Sequence, residues 1–257
     1  MFTVSGSCQA TLALRFMVNG FYGVALLILL LASQAVAATQ SVHVFVALCD
    51  NKTQGIQKVG AKIGDGDIPD ENLYWGCTDG FGSLFRHSRE WKLVSARKDV
   101  SEIVLRRLEL KHVSADVRLI ADAYRGSAMK ECLVDFERAV AGGESDLVVF
   151  IGHNGLMDFS LPEPVSATNR SKATEAIILC CESESYFKKR LEKAGAKPVL
   201  LTQQLMYPGA FILHDVLEVW RVDGSPEEMR QAAGKAYARN QRISLKAATG
   251  VFAPLGK

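Results

Sequence analysis

The sequence predicts an α/β fold with a mostly parallel central sheet covered by helices on both faces. Three observations point to it. Short β-branched and apolar runs are bounded by turn formers, stretches of helical periodicity separate them, and two of the runs are apolar along their whole length, as in strands buried on both sides.

The elements follow in order. Residues 42–49 (VHVFVALC) form a β-branched run of buried-strand length. A turn-rich loop at 64–72 (GDGDIPDEN) precedes Asn72, which is placed to cap a helix reaching about His87. Residues 91–95 and 117–123 read as strands, and 99–112 between them is ambiguous with a helical leaning. Residues 127–141 carry Met129, Leu133, Phe136 and Val140 at helical spacing, and Gly142-Gly143 ends that helix. Two apolar runs, 146–152 (DLVVFIG) and 175–181 (EAIILCC), read as central strands. A helix at 185–194, a strand at 198–202 and two further helical stretches complete the chain. The last of these starts at Ser225-Pro226-Glu227-Glu228, with a cap serine, proline at the first helical position and acid in the first turn.

The N-terminus reads as an export signal. Arg15 precedes an apolar run of nine residues, 24–32, and Ala35-Val36-Ala37 supplies the small-x-small triplet at which a signal peptide is cut. Nine apolar residues fall short of the roughly 20 that span a bilayer, so cleavage near Ala37 is expected rather than anchoring. Residues 1–37 are therefore read as signal peptide and 38–257 as a single α/β domain, secreted or periplasmic, with no membrane span after cleavage. A net charge of +2, with no stripe of Lys and Arg, argues against a nucleic-acid partner. Of six cysteines, Cys8 leaves with the signal, so an odd number, Cys49, Cys77, Cys132, Cys180 and Cys181, enters a compartment that favours disulfides. At least one thiol then stays free or pairs outside the chain. No Cys-x-x-Cys or His-x-x-x-His spacing suggests a metal, and no cofactor is expected.

The two apolar runs end on reactive residue types, His153 after the first and Cys180-Cys181 after the second. Ligands of open α/β sheets gather at the carboxyl ends of strands, so neighbouring strands would bring an imidazole and a thiol to one edge. An imidazole near a thiol favours the thiolate and later protonates the leaving amine.

This arrangement of strand, His, second strand and Cys resembles the caspase-like cysteine peptidases, which include caspases, gingipains and legumain. The local likeness is to the legumain type. Leu179-Cys180-Cys181-Glu182-Ser183-Glu184-Ser185 stands against that family's E-A-C-E-S-G-S, and Gly152-His153-Asn154-Gly155 against its D-H-G-x-x-G. The resemblance implies a caspase-like three-layer sandwich, with Cys181 as nucleophile and His153 as acid and base. It also implies an oxyanion held by backbone N–H groups near Asn154, Gly155 and Cys181, and a peptide or protein substrate. Three features depart from the family. Asn154 replaces a glycine, only 28 positions separate residues 153 and 181, and Cys180 adjoins the nucleophile. By the same resemblance Asp50 and Lys52, just after the first strand, would shape the substrate pocket, with Asp50 favouring a basic side chain; a solvated turn is the plainer reading of both.

Other features have plain structural readings. His43, His87, His112 and His214 have no partner motif, and the acidic loop with Asp65, Asp67, Asp70 and Glu71 lacks EF-hand spacing and reads as a solvated turn. Asn51-Lys52-Thr53 and Asn169-Arg170-Ser171 fit the glycosylation pattern. Tyr207-Pro208-Gly209 is placed to form a rim of the same cleft. Two competing readings are kept. One is a caspase-like fold without catalysis, acting as a periplasmic binding or scaffold protein, to which Asn154 points; the other is a thiol redox protein using Cys180 and Cys181, which make poor disulfide neighbours. Oligomeric state is left open by the sequence.

Overall fold

The first apolar run forms strand β1 (Gln40–Ala47), and its alternation sends Val42, Val44 and Val46 to one face and Phe45 and Ala47 to the other. The computed structural model describes residues 39–167 and 172–255; the expected signal peptide, residues 1–37, and the acceptor Asn169-Arg170-Ser171 lie outside them. Strands β2 (Trp91–Lys98), β3 (Val104–His112), β4 (Val117–Tyr124), β5 (Leu147–Ile151), β6 (Glu175–Leu179) and β7 (Lys197–Leu200) join β1 in one sheet of order β2-β3-β4-β1-β5-β6-β7. Strand β3 runs antiparallel to both neighbours, and the pairings from β4 through β1, β5 and β6 to β7 are parallel.

Helices cover both faces. Helix α2 (Met129–Gly142) and α3 (Ser183–Lys193) place Leu133, Phe136, Phe187 and Leu191 against Phe45, Val148 and Ile178. On the other face α1 (Phe81–Arg86), α4 (Ala210–Trp220) and α5 (Pro226–Gln241) pack Phe81, Leu213, Val216 and Ala233 on Val44, Val149 and Ile177. A short α6 (Leu245–Thr249) follows. Burial of both faces explains why β5 and β6 read as unbroken apolar runs: all five residues of β5 are buried. The expected start of α5 is present, for Ser225 accepts from the Glu228 N–H while the Glu228 carboxylate accepts from the Ser225 N–H.

Two expectations are corrected. The ambiguous segment 99–112 is the strand β3, not a helix. Leu108 and Leu110 face the core while Arg107 and Glu109 face the other way, and Ser101 closes the β2–β3 turn by accepting from the Ile103 and Val104 N–H groups. The helix expected from Asn72 to His87 is only the six residues of α1, preceded by turns. Close packing explains the break, since a Cβ on Gly76 would sit 2.1 Å from the Asp70 carbonyl oxygen. The acidic loop is likewise pinned rather than merely solvated: Arg106 Nη2 donates to Asp70 at 2.8 Å, and Arg125 pairs with Asp67.

The α2 face also carries a polar cluster. Asp122 on β4 is wholly buried and accepts from Arg107 Nε and Nη2 at 2.6 Å, with His43 Nε2 at 3.0 Å. Burial pushes the Asp122 carboxyl up, but the hydrogen bonds from His43 and Arg107 outweigh it and hold it below the usual value. Arg107→Met strands that carboxylate, and a loss of about 3 kcal/mol at pH 7 is expected in urea unfolding. A carboxyl lowered by folding stabilises above its unfolded value of about 3.9 and stops doing so once protonated. The gap between variant and wild type therefore closes below about pH 4; a gap that widens there contradicts the assignment.

Candidate functional site

The chain leaves β1 toward β2–β4 on one side of the sheet and returns as β5 on the other, so the strand order reverses between β1 and β5. Open sheets form a crevice at the carboxyl ends of such strands. Here a cleft of about 540 Å³ occupies that place, with Cys49 beyond β1, Gly152 and His153 beyond β5, and Cys181 beyond β6 on its wall. The two residues expected to act together thus share one cleft.

Strand ends fix each of them. Gly152 N–H donates to Leu179 O at 3.2 Å, the last rung between β5 and β6. Beyond it the N–H of Cys181 meets no acceptor among the described residues, which frees it for a ligand. Cys180 is wholly buried in the α3 core, and burial, then the neighbouring Cys181, pushes its thiol well up. Alternation turns Cys181 the other way, into the cleft, where its Sγ accepts from Met206 N–H at 3.4 Å.

The turn after His153 supplies a residue that sequence reasoning missed. His153 is 8 % exposed, and its Nε2 lies 2.8 Å from Asp158 Oδ2. The same oxygen accepts from Gly55 N–H at 2.9 Å, so Asp158 holds both the imidazole and the loop that forms the opposite wall. A one-turn 3-10 helix, Gly155–Met157, folds the carboxylate back onto the ring. The signal was present as an acid five positions after the histidine, across an Asn-Gly turn, but not as a familiar motif. At Gly55 a Cβ would stand 2.3 Å from Asp158 Oδ1, so a side chain there would have to displace the carboxylate that holds His153.

Asn154 and Gly155 follow His153 in the turn beyond β5. Neither lines the cleft. Asn154 is wholly buried with φ −78°, so the turn needs no left-handed residue, and its Nδ2 donates to Cys181 O at 2.7 Å while Oδ1 accepts from Leu156 N–H. Its side chain ties the histidine loop to the cysteine loop. Asp50 and Lys52 also lie off the cleft wall. Asp50 is 5 % exposed and accepts from Lys52 N–H and Thr53 Oγ1 within its own turn, and Lys52 is exposed. Asn51 exchanges two hydrogen bonds with the Val59 backbone, leaving its amide engaged. Tyr207 and Pro208 do line the rim.

The five cysteines of the described chain are free thiols. Burial pushes Cys49 up to about 11, with Asp50 adding to the shift, and burial likewise raises Cys77 and Cys132. Such thiols stay protonated and unreactive near neutral pH. Among the described residues no group of three metal-ligating side chains converges. Two larger hollows, of about 670 and 980 Å³, lie around His214. They hold no cysteine, and of the two histidines on their walls His214 is engaged by Ser88 and Glu90 and His87 by the Ser83 carbonyl. No protein-family profile, curated protein or solved structure matches this chain.

Proposed function

We propose that the chain is an exported caspase-like cysteine peptidase with Cys181 as nucleophile and His153 as acid and base. One observation carries the reading: residues 153 and 181 leave the adjacent parallel strands β5 and β6 into the same cleft. In the reaction His153 takes the thiol proton and Cys181 Sγ attacks the substrate carbonyl carbon. The C–N bond then breaks as His153 hands its proton to the leaving amine. Water hydrolyses the thioester and restores both groups. The free N–H of Cys181 is the donor offered to the developing oxyanion, and Asp158 fixes the ring so that Nδ1 is the nitrogen left for chemistry. The caspase-like three-layer sandwich and export after loss of residues 1–37 belong to the same reading.

One observation favours a binding or scaffold role instead: imidazole and thiol each bond to other groups, Asp158 and the Met206 backbone. Such bonds are commonly loose or misdirected without substrate, so the peptidase reading is preferred. Thiol labelling by iodoacetamide between about pH 5.5 and 8, with sites located by mass, separates the two. Cys181 is expected to label before the other four cysteines and to lose that lead in His153→Ala. A Cys181 that labels no faster than Cys77, or equally well without His153, sinks the proposal.

A further inference from the structure

The wall of the cleft beside Cys181 is apolar. Ile56, Val59, Leu73, Leu205 and Met206 line it together with Tyr74. No Asp, Glu, Lys or Arg side chain is among the residues that line it. Burial pushes the hydroxyls of Tyr74 and Tyr207 up, so both stay neutral, as does the Cys49 thiol. Of the carboxylates around it, Asp50 is hydrogen-bonded within its own turn, Asp158 to His153 and the Gly55 N–H, and Asp79 to the Asn240 amide. A charged substrate side chain would lose water here and meet no carboxylate, Lys or Arg on the wall, where Gln57 and the tyrosine hydroxyls are neutral. Leu205 and Met157 stand 70 % and 39 % exposed at the cleft, the kind of apolar surface a docked chain covers.

We propose that the substrate residue seated beside Cys181 carries an uncharged apolar side chain, of the size of Leu, Met or Phe. This rests on the peptidase reading and names its substrate class. A cavity of about 540 Å³ accommodates such a side chain together with the flanking peptide backbone. The pocket favours apolar residues by burial and rejects Lys, Arg, Asp and Glu by desolvation. Between apolar residues of similar size it discriminates modestly, because one methylene in such a pocket changes selectivity by only about 10- to 200-fold.

The test uses the full chain and tripeptidyl acyloxymethyl ketones that differ only in the residue next to the ketone, Leu, Phe, Lys or Asp, with labelling of Cys181 followed by mass. The Leu and Phe probes are expected to label at least about 100-fold faster than the Lys and Asp probes. A Leu205→Asp variant, which places a carboxylate on the cleft wall, is expected to narrow the gap between the Leu and Lys probes by about tenfold. Faster labelling by Lys or Asp probes overturns the inference and leaves the peptidase reading standing. If iodoacetamide reaches Cys181 but no peptidyl probe outpaces it, the peptidase reading falls and the inference falls with it.

Discussion

The His153→Ala protein is expected to cleave a fluorogenic Leu- or Phe-amide peptide about 10²- to 10⁴-fold more slowly than wild type, the range for removal of one positioned acid–base group. KM should change little, since the lost interaction matters as the thiol proton moves and the amine departs rather than when the peptide binds. Cys181→Ala is expected to cost at least as much, and the double variant no more than Cys181→Ala alone, because a nucleophile and its base act as one unit. Asp158→Ala is expected to have a smaller effect than His153→Ala, acting through the ring it holds. Restoring only the geometry with Asp158→Asn separates orientation from charge, since the amide keeps a hydrogen-bond partner for His153 Nε2 but not the carboxylate. Losses in the single variants that multiply in the double variant would mean that the two residues do not work together.

The parts of the fold legible in the sequence were those in which one local pattern had one structural meaning. The run at β5 is apolar throughout and fully buried, that at β6 is so after the half-buried Glu175, and helix α2 presents a single apolar stripe, so each pattern has one structural meaning. Strand β3 failed the same approach because VLRRLELKH spaces Leu105 and Leu108 by three as well as Leu108 and Leu110 by two. Only its pairing with β2 and β4 decides between those periods. At the site, His153 and Cys181 were visible because strand ends expose chemistry. Asp158 was not, since its approach to the ring depends on a one-turn 3-10 helix and on a glycine 103 positions away. Asp50 illustrates the converse. A carboxylate after a strand looks available in sequence, whereas here its own turn consumes both oxygens.

The largest expected stability effect lies at Asn72, which the sequence offered as a helix cap and the structure uses as a clamp. Its side chain is wholly buried, and its amide forms four hydrogen bonds to main chain. Oδ1 accepts from Cys49 and Tyr74 N–H at 3.1 Å each, while Nδ2 donates to Cys49 O at 2.8 Å and Asp65 O at 3.0 Å. The end of β1 is thereby joined to the segment that supplies Leu73 and Tyr74 to the cleft. Asn72→Ala strands two donors and two acceptors away from water, and since each buried unsatisfied group costs about 1–3 kcal/mol, a net loss of roughly 3–4 kcal/mol is expected after relaxation. Asn72→Asp is expected to be worse than Asn72→Ala, for it turns an oxygen toward the Cys49 and Asp65 carbonyls in place of two N–H donors. Urea unfolding at pH 7 measures both. The selective consequence is local: because the clamp fixes the apolar wall rather than the dyad, the surviving folded Asn72→Ala protein should lose discrimination between Leu and Lys probes while iodoacetamide labelling of Cys181 persists. A loss below about 1 kcal/mol, with probe selectivity intact, would show that water replaces the amide and that the wall is held by packing alone.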